Sequence, residues 1–369
     1  RPPVTGPTTA GLVCGHHHLY STLARGMPPL PRTPTGFTDV LELLWWRLDA
    51  AMDLDVLAAS ARLGALEALA CGTTAIVDHN ESPRAIDGSL DVIAAACAEV
   101  GVRVVCAYGV TDRWGDDGRP HEGDLPPKAM TAAAKAGLAE CERFVRAGGR
   151  GMVGVHAAFT CSDETLEAAA GLATDLGVGV HVHVAEDGVD AGAVARLAPL
   201  ATDDWLLAHC GHAEPELAGT VAHNPRSNQN NAVGYARPAR WADAGHRVVL
   251  GTDGIGADML EEFRLAFVAQ RADDITATPA AAWSWLGAGA ELVPEVAGDE
   301  VTWSASAAGA AGPGAPLDPW HLAFTTGVRA ERVVVDGEVV LDAARATRVD
   351  ADQVRAHAWE QARILWSQL

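Results

Sequence analysis

No stretch of the 369-residue chain runs for 18 or more apolar residues, so no membrane-spanning helix of ordinary length is expected. No basic-then-apolar segment opens it, so no secretory signal is expected either. The seven cysteines (Cys14, Cys71, Cys97, Cys106, Cys141, Cys161 and Cys210) form no Cys-x-x-Cys pair. Odd in number and scattered through apolar segments, they read as reduced core thiols in a cytoplasmic protein. Positive charge is scarce. Against 48 Asp and Glu stand 27 Lys and Arg, of which only Lys128 and Lys135 are lysines, and the net charge is −21 with a pI near 4.9. That balance argues against nucleic acid or an anionic membrane surface as partner and is otherwise only a matter of solubility; the small-molecule substrate follows from the resemblance below. No short repeat appears, and no Gly-x-Gly-x-x-Gly fingerprint follows an apolar run. What remains is a chain 49% hydrophobic, enough for one large domain and a smaller one.

Strand-like apolar runs alternate with helical stretches for most of its length. The strand candidates are residues 11–18, 73–79, 102–108, 151–156, 177–184, 205–209, 219–223 and 247–253. Helical spacing falls near 37, at 53–71, 88–100, 129–147 and 163–176. Only a short helix, near 215–219, fits between the sixth and seventh strands. Eight strand-plus-helix units in about 280 residues predict parallel strands closed into a (β/α)8 barrel. An open doubly wound sheet is the runner-up. Beyond the barrel, 279–292 reads as a helix, 300–320 as a Gly/Ala/Ser/Pro linker and 332–341 as two β runs joined by Asp336-Gly337. Residues 352–367 read as a helical tail. The expected division is a barrel over 11–295, a small β domain from 1–10 plus 296–350, and a C-terminal helix over 351–369.

The first strand ends in His16-His17-His18. Side chains alternate along a strand, so His16 and His18 share a face and can reach one metal, while His17 points away into packing. Taken alone, this pattern fits a polar turn equally well. Six of the eight strand candidates, however, end in a residue able to bind metal or move protons: His16/His18, His79, His156, His183 with Glu186 beyond it, His209 and Asp253. In a barrel of this kind all strand C-termini meet at one face, so these residues converge. Imidazoles with a carboxylate make a borderline-soft site suited to Zn²⁺ or Fe²⁺, which acidifies its water. Glu186, three residues past His183, is placed to shuttle protons.

The pattern His16-x-His18, His183-x-x-Glu186, Ala208-His209-Cys210 and Gly251-Thr252-Asp253 resembles the amidohydrolase superfamily. Residues 16–26, 44–49, 72–74 with Asp78-His79, 181–187, His223-Asn224-Pro225, Ser227-Asn228, 230–235 and 251–259 look like its cytosine deaminase/chlorohydrolase branch, and most like the SsnA-like aminohydrolases. The resemblance spans about 11–345.

It implies His16, His18, His183 and Asp253 as metal ligands, with Zn²⁺ the first choice and Fe²⁺ the second. It further implies Glu186 as the acid/base residue, His209 as the group orienting water, and Asp253 as a second proton acceptor. Two-metal relatives use a carbamylated lysine on the fourth strand. Here that strand ends in His156, and both lysines precede it, so one metal is expected. The implied activity is an aminohydrolase that releases ammonia from an amino-substituted N-heterocycle. Ring-opening hydrolysis of a cyclic amide is the alternative within the superfamily, and a catalytically silent metal-binding protein the alternative outside it. A homodimer is the assembly the resemblance suggests.

Substrate contacts are expected from His79, His156, Trp46, Asn224, Asn228 and Arg25, with Tyr20, Trp45, Arg226 and Asp258 also near strand ends. Trp45-Trp46 fits a core pair as well as a pocket wall, Arg25 and Arg226 fit surface charges, and Asn224 and Asn228 fit loop anchors. Two departures from the family pattern stand out. Only about ten residues precede the first strand, so a reduced small β domain built mainly from the C-terminal segment is expected. The Gly-x-Leu-x-x-Gly-x-x-Ala-Asp signature is replaced by the stretch at 305–314.

Overall fold

The computed structural model describes residues 6–115, 118–120, 125–304 and 318–369. Among the described residues fourteen strands fall into two sheets. β2 (Leu12–His18), β3 (Thr73–Asn80), β4 (Arg103–Val110), β5 (Val153–Ala157), β6 (Val180–Val184), β7 (Leu206–His209), β8 (Thr220–His223) and β9 (Val248–Leu250) pair in sequence order, all parallel. β10 (Asp253–Gly254) continues the line of β9 but pairs with β2, placing Asp253 opposite His17. Thr252 N also donates to His16 O at 3.0 Å, so the last strand leans on β8 at one end and on β2 at the other. That closes the expected barrel. The crossing needs glycine at 251, where a Cβ would sit 2.7 Å from both His16 N and His16 O.

The second sheet is antiparallel, in the order β1 (Thr8–Thr9), β11 (Glu300–Trp303), β12 (Ala330–Val335), β13 (Glu338–Asp342), β14 (Arg345–Ala346). Asp336 (φ 51°) and Gly337 (φ 79°) make the turn between β12 and β13 with two positive φ angles, as an Asp-Gly hairpin requires. Buried Trp303 packs this sheet against the barrel at Gly72, where a Cβ would lie 2.6 Å from the indole ring. Arg103, opening β4, holds Asp299 through two nitrogens at 2.5 and 3.0 Å.

Three expectations need correction. Among the described residues no helix links β7 to β8; residues 210–219 form turns, because Pro215 and Gly219 (φ 133°) break so short a link. Glu300–Trp303 is a strand and not part of a linker, since buried Val301 and Trp303 alternate with more exposed neighbours. The helix expected over 279–292 stops at Ala288 and continues as a tighter 3-10 turn, Gly289–Glu291. The low-complexity stretch at 305–314 lies outside the described residues. The helical tail is Ala351–Trp366, tied back by Trp366 Nε1 donating to Leu23 O at 2.8 Å.

Two features of the interior position the site. The floor of the barrel is apolar: Val13, Ala75, Val77, Val105, Leu206, Ala222 and Val249 pack with Val293 and Val296 from beneath. Above the mouth, the helix beginning at Phe37–Val40 passes through a π-turn (Leu41–Trp45) before resuming as Trp46–Ala51. Such turns often mark functional sites, and this one presents both Trp45 and Trp46 to the cavity. No helix among the described residues is long and apolar enough to cross a membrane.

Candidate active site

Ligand atoms of His16, His18, His183 and Asp253 all lie within 4.8 Å of one another. A bulge in β2, where the register against β3 shifts between Cys14 and His17, carries the inward face from Val13 to His16 and His18. His17 faces elsewhere and hydrogen-bonds Thr252 Oγ1 at 2.7 Å. Asp253, at φ 55°, turns inward in a left-handed conformation that non-glycine residues seldom adopt. His209 (φ 71°), ending β7, and Ala185 (φ 42°), just past β6, also have positive φ, so backbone strain collects at one face.

The tautomers follow from the backbone. His18 Nδ1–H donates to His79 O and His183 Nδ1–H donates to His156 O, both at 2.6 Å. A carbonyl can only accept, so in the neutral rings each Nε2 carries a lone pair. Those two Nε2 atoms are 3.1 Å apart, and His18 Nε2 and His16 Nε2 sit 3.0 and 3.1 Å from Asp253 Oδ1. The two Nε2 lone pairs of the neutral rings thus converge with the Asp253 carboxylate beside His16 Nε2, an arrangement that suits a positive charge among them. Burial opposes charge on His18, yet Asp253 pushes its pKa up to about 9, while burial holds His16 and His183 well below the ordinary histidine range. Three imidazoles and a carboxylate fit one Zn²⁺ or Fe²⁺ ion.

Beside this cluster His209 Nδ1–H donates to Asn228 Oδ1 at 2.7 Å. Its Nε2 has no hydrogen-bond partner among the described residues and lies 3.6 Å from Glu186 Oε2. Glu186 accepts from Asn231 Nδ2 at 3.2 Å, and burial raises its pKa, favouring the protonated acid. Ser227 Oγ donates to Asp253 Oδ2.

A cavity lined by His18, His183, Glu186 and Asp253 opens onto these groups. Of the residues expected to touch substrate, His156 and Trp46 line it, as do Tyr20 and Trp45. His79 lies wholly buried beneath, packed on His181 and His183 at ring-centroid distances of 4.8 and 4.7 Å. Asn224 and Asn228 are buried beside His209, whose Nδ1–H is accepted by Asn228 from behind the wall. Arg25 is outside the cavity, paired with Glu67 on the surface at 2.7 Å. Arg226 is engaged by Glu262 and by the carbonyls of Thr252 and Gly254. Asp258 caps the helix Met259–Asp273.

Sequence reasoning missed Phe37, Leu41, Asp49, Glu81, Phe159 and Asn231 on the cavity wall. Glu81 had a signal, being two residues beyond His79, and Asp49 closes the family-like stretch 44–49.

Residues 8–286 match the model of the amidohydrolase family. The chain is 31% identical over 289 residues to the 5'-deoxyadenosine deaminase of Methanopyrus kandleri, an alignment covering 69% of this chain and 60% of that protein. It is 28% identical to the 5-methylthioadenosine/S-adenosylhomocysteine deaminase of Desulforudis audaxviator, over 97% of this chain and 86% of the relative. The chain thus spans less than two thirds of the first relative's length and most of the second's. Among solved structures, an adenosine deaminase from Xanthomonas campestris with bound zinc superposes with a TM-score of 0.79 at 21% identity, covering 98% of this chain and 87% of that one. At that identity the likeness is one of fold.

Proposed function

Because the chain belongs to the amidohydrolase family, we propose that it is a metal-dependent aminohydrolase acting on an adenine-type nucleoside or a related amino-substituted N-heterocycle. The observation that carries this is the pair of Nε2 lone pairs on His18 and His183, held 3.1 Å apart by backbone carbonyls behind each ring. The names of the relatives, both deaminases, support the reaction class.

In this reading His16, His18, His183 and Asp253 hold one divalent ion, zinc first and iron(II) second. When bound, such an ion lowers the pKa of water toward neutrality. The remaining steps belong to side chains. His209 Nε2, its ring fixed by Asn228, orients the water, and Asp253 accepts its proton. Glu186, its pKa raised by burial, donates to the ring nitrogen next to the amino-bearing carbon. It then takes up the remaining proton of the added hydroxyl and passes that proton to the departing amine. The proton held by Asp253 restores Glu186. The carbon exchanges its C–N bond for a C–O bond, and ammonia leaves. The aromatic side chains of Trp45, Trp46, Phe37 and Phe159 suit the faces of a planar heterocycle.

The barrel over 11–295, the small β domain of 1–10 with 296–350 and the C-terminal helix are the division we propose with it. The seven free thiols, six of them buried, support a reducing, cytoplasmic setting. The test is ammonia release by the zinc-loaded protein from adenosine-type nucleosides and other amino-substituted purines, pyrimidines, pterins and triazines. We expect release with product mass showing NH replaced by O. Ring opening, with the mass of a whole water added, or no turnover across the panel, overturns the proposal.

A further inference from the structure

The three histidines of the proposed metal site are not secured alike. The carbonyls of His79 and His156 stand behind His18 and His183, each accepting an Nδ1–H at 2.6 Å. Behind His16 stands a fourth imidazole instead: His16 Nδ1 and His181 Nε2 are 2.8 Å apart. His181 lies on β6 two residues before His183, so it shares the inward face of that strand at a deeper level. It is wholly buried, as His16 is. Its other ring nitrogen, Nδ1, has no hydrogen-bond partner among the described residues. The T-shaped neighbour His79, with ring centroids 4.8 Å away, supplies none.

Leu206, paired with His181 across the sheet, belongs to the apolar floor. A polar ring is therefore set at a depth where an aliphatic side chain would serve packing as well, and an open polar atom there is unfavourable. The return is its one hydrogen bond, to His16. Burial disfavours the charged form of both rings, so a single proton lies between them. Two arrangements are open to the pair. His16 Nδ1–H can donate to His181 Nε2, which leaves a lone pair on His16 Nε2. Alternatively His181 Nε2–H donates to His16 Nδ1, which puts the proton of His16 on Nε2, 3.1 Å from Asp253 Oδ1. The second arrangement ties up Asp253 from within the protein and offers a metal no lone pair on His16. A carbonyl permits only the first kind of bond, whereas an imidazole permits both.

We propose that His181 is the positioning residue for His16: its Nε2 accepts from His16 Nδ1–H, its own proton sits on Nδ1, and His16 Nε2 is thereby kept free for the ion. This rests on the reading that His16, His18, His183 and Asp253 hold a divalent metal. The group behind a ligand histidine fixes its tautomer and orientation, and its loss weakens the metal site. Of the three histidines, His16 is the one whose readiness to bind depends on a side chain, and so on the identity of residue 181.

The test combines zinc affinity, read by competition with a chelating dye, with nitrogen-15 NMR of the histidine rings. In the zinc-loaded protein we expect His16 and His181 both to carry hydrogen on Nδ1. His181→Phe, which keeps a ring of similar size and removes the acceptor, should weaken zinc binding about 10–100-fold. His181→Gln, whose amide oxygen can accept in place of Nε2, should hold zinc within about threefold of the unsubstituted protein. Should either variant fail to fold, the ring pattern of the unsubstituted protein still decides. Hydrogen on His181 Nε2 with zinc bound, undiminished affinity in folded His181→Phe, or equal losses in His181→Phe and His181→Gln overturns the proposal and leaves the metal reading standing. Failure of the unsubstituted protein to bind zinc overturns both.

Discussion

Along β3 the inward positions run Ala75, Val77, His79, and along β2 Val13 gives way to His16 and His18; β9 likewise passes from Val249 to Asp253 on β10. The lower half of the barrel interior is filled by small aliphatic side chains, and the upper half by imidazoles and a carboxylate whose donor atoms face one another. The same strands thus serve two purposes at different heights. Below, every inward group finds apolar contact and contributes stability. Above, His79, His181, His209 and His223 keep ring nitrogens without partners among the described residues, and three residues hold strained backbone angles. The lower level supports the fold at the expense of nothing, whereas the upper level is poised for a ligand that restores its electrostatic balance.

If that contrast is right, disturbing each level should give opposite signatures. The largest effect is expected from stripping the metal with a chelator. Ammonia release should fall to background and return on adding zinc, and the melting temperature should drop, because an ion that binds only the folded chain stabilises it. Next, Glu186→Gln should lower kcat by about 10²–10⁴-fold while metal content and melting temperature stay put; loss of fold together with activity would erase the distinction between levels. In the floor, Leu206→Ala should destabilise by about 2–5 kcal/mol in denaturant unfolding yet leave kcat of the folded fraction unchanged. A large change in kcat there would mean the floor is not merely structural. Smallest, Asn228→Ala should release His209 Nδ1 and cut kcat/KM about 10–100-fold with full metal occupancy, and an unaltered rate would remove His209 from its proposed role.

The upper level was the more legible in sequence. Strand periodicity and parallel topology together bring His16, His18, His183, His209 and Asp253 to one mouth, because in a barrel position along the strand translates directly into height. The bulge in β2 was not legible, although the spacing of three between Val13 and His16 requires one if both face inward. Also hidden were the Asp49–Glu81–Arg113 group and the strand Glu300–Trp303. The first joins a helix, a loop after β3 and a loop after β4 with no common period. The second sits in Gly/Ala-rich surroundings, and its pairing with β1 and β12 depends on residues far away in the chain. Arg25 illustrates the opposite error: adjacency to a motif placed it near the site in sequence, but in space it pairs with Glu67 on the surface.

The central claim is that His16, His18, His183 and Asp253 hold a single catalytic ion. Elemental analysis of the zinc-reconstituted protein after exhaustive dialysis, run beside His183→Ala, tests it most directly. One zinc per chain is expected in the unsubstituted protein, and loss of that zinc, together with ammonia release, in the folded variant. Two ions per chain, none, or a full complement retained by His183→Ala would contradict it.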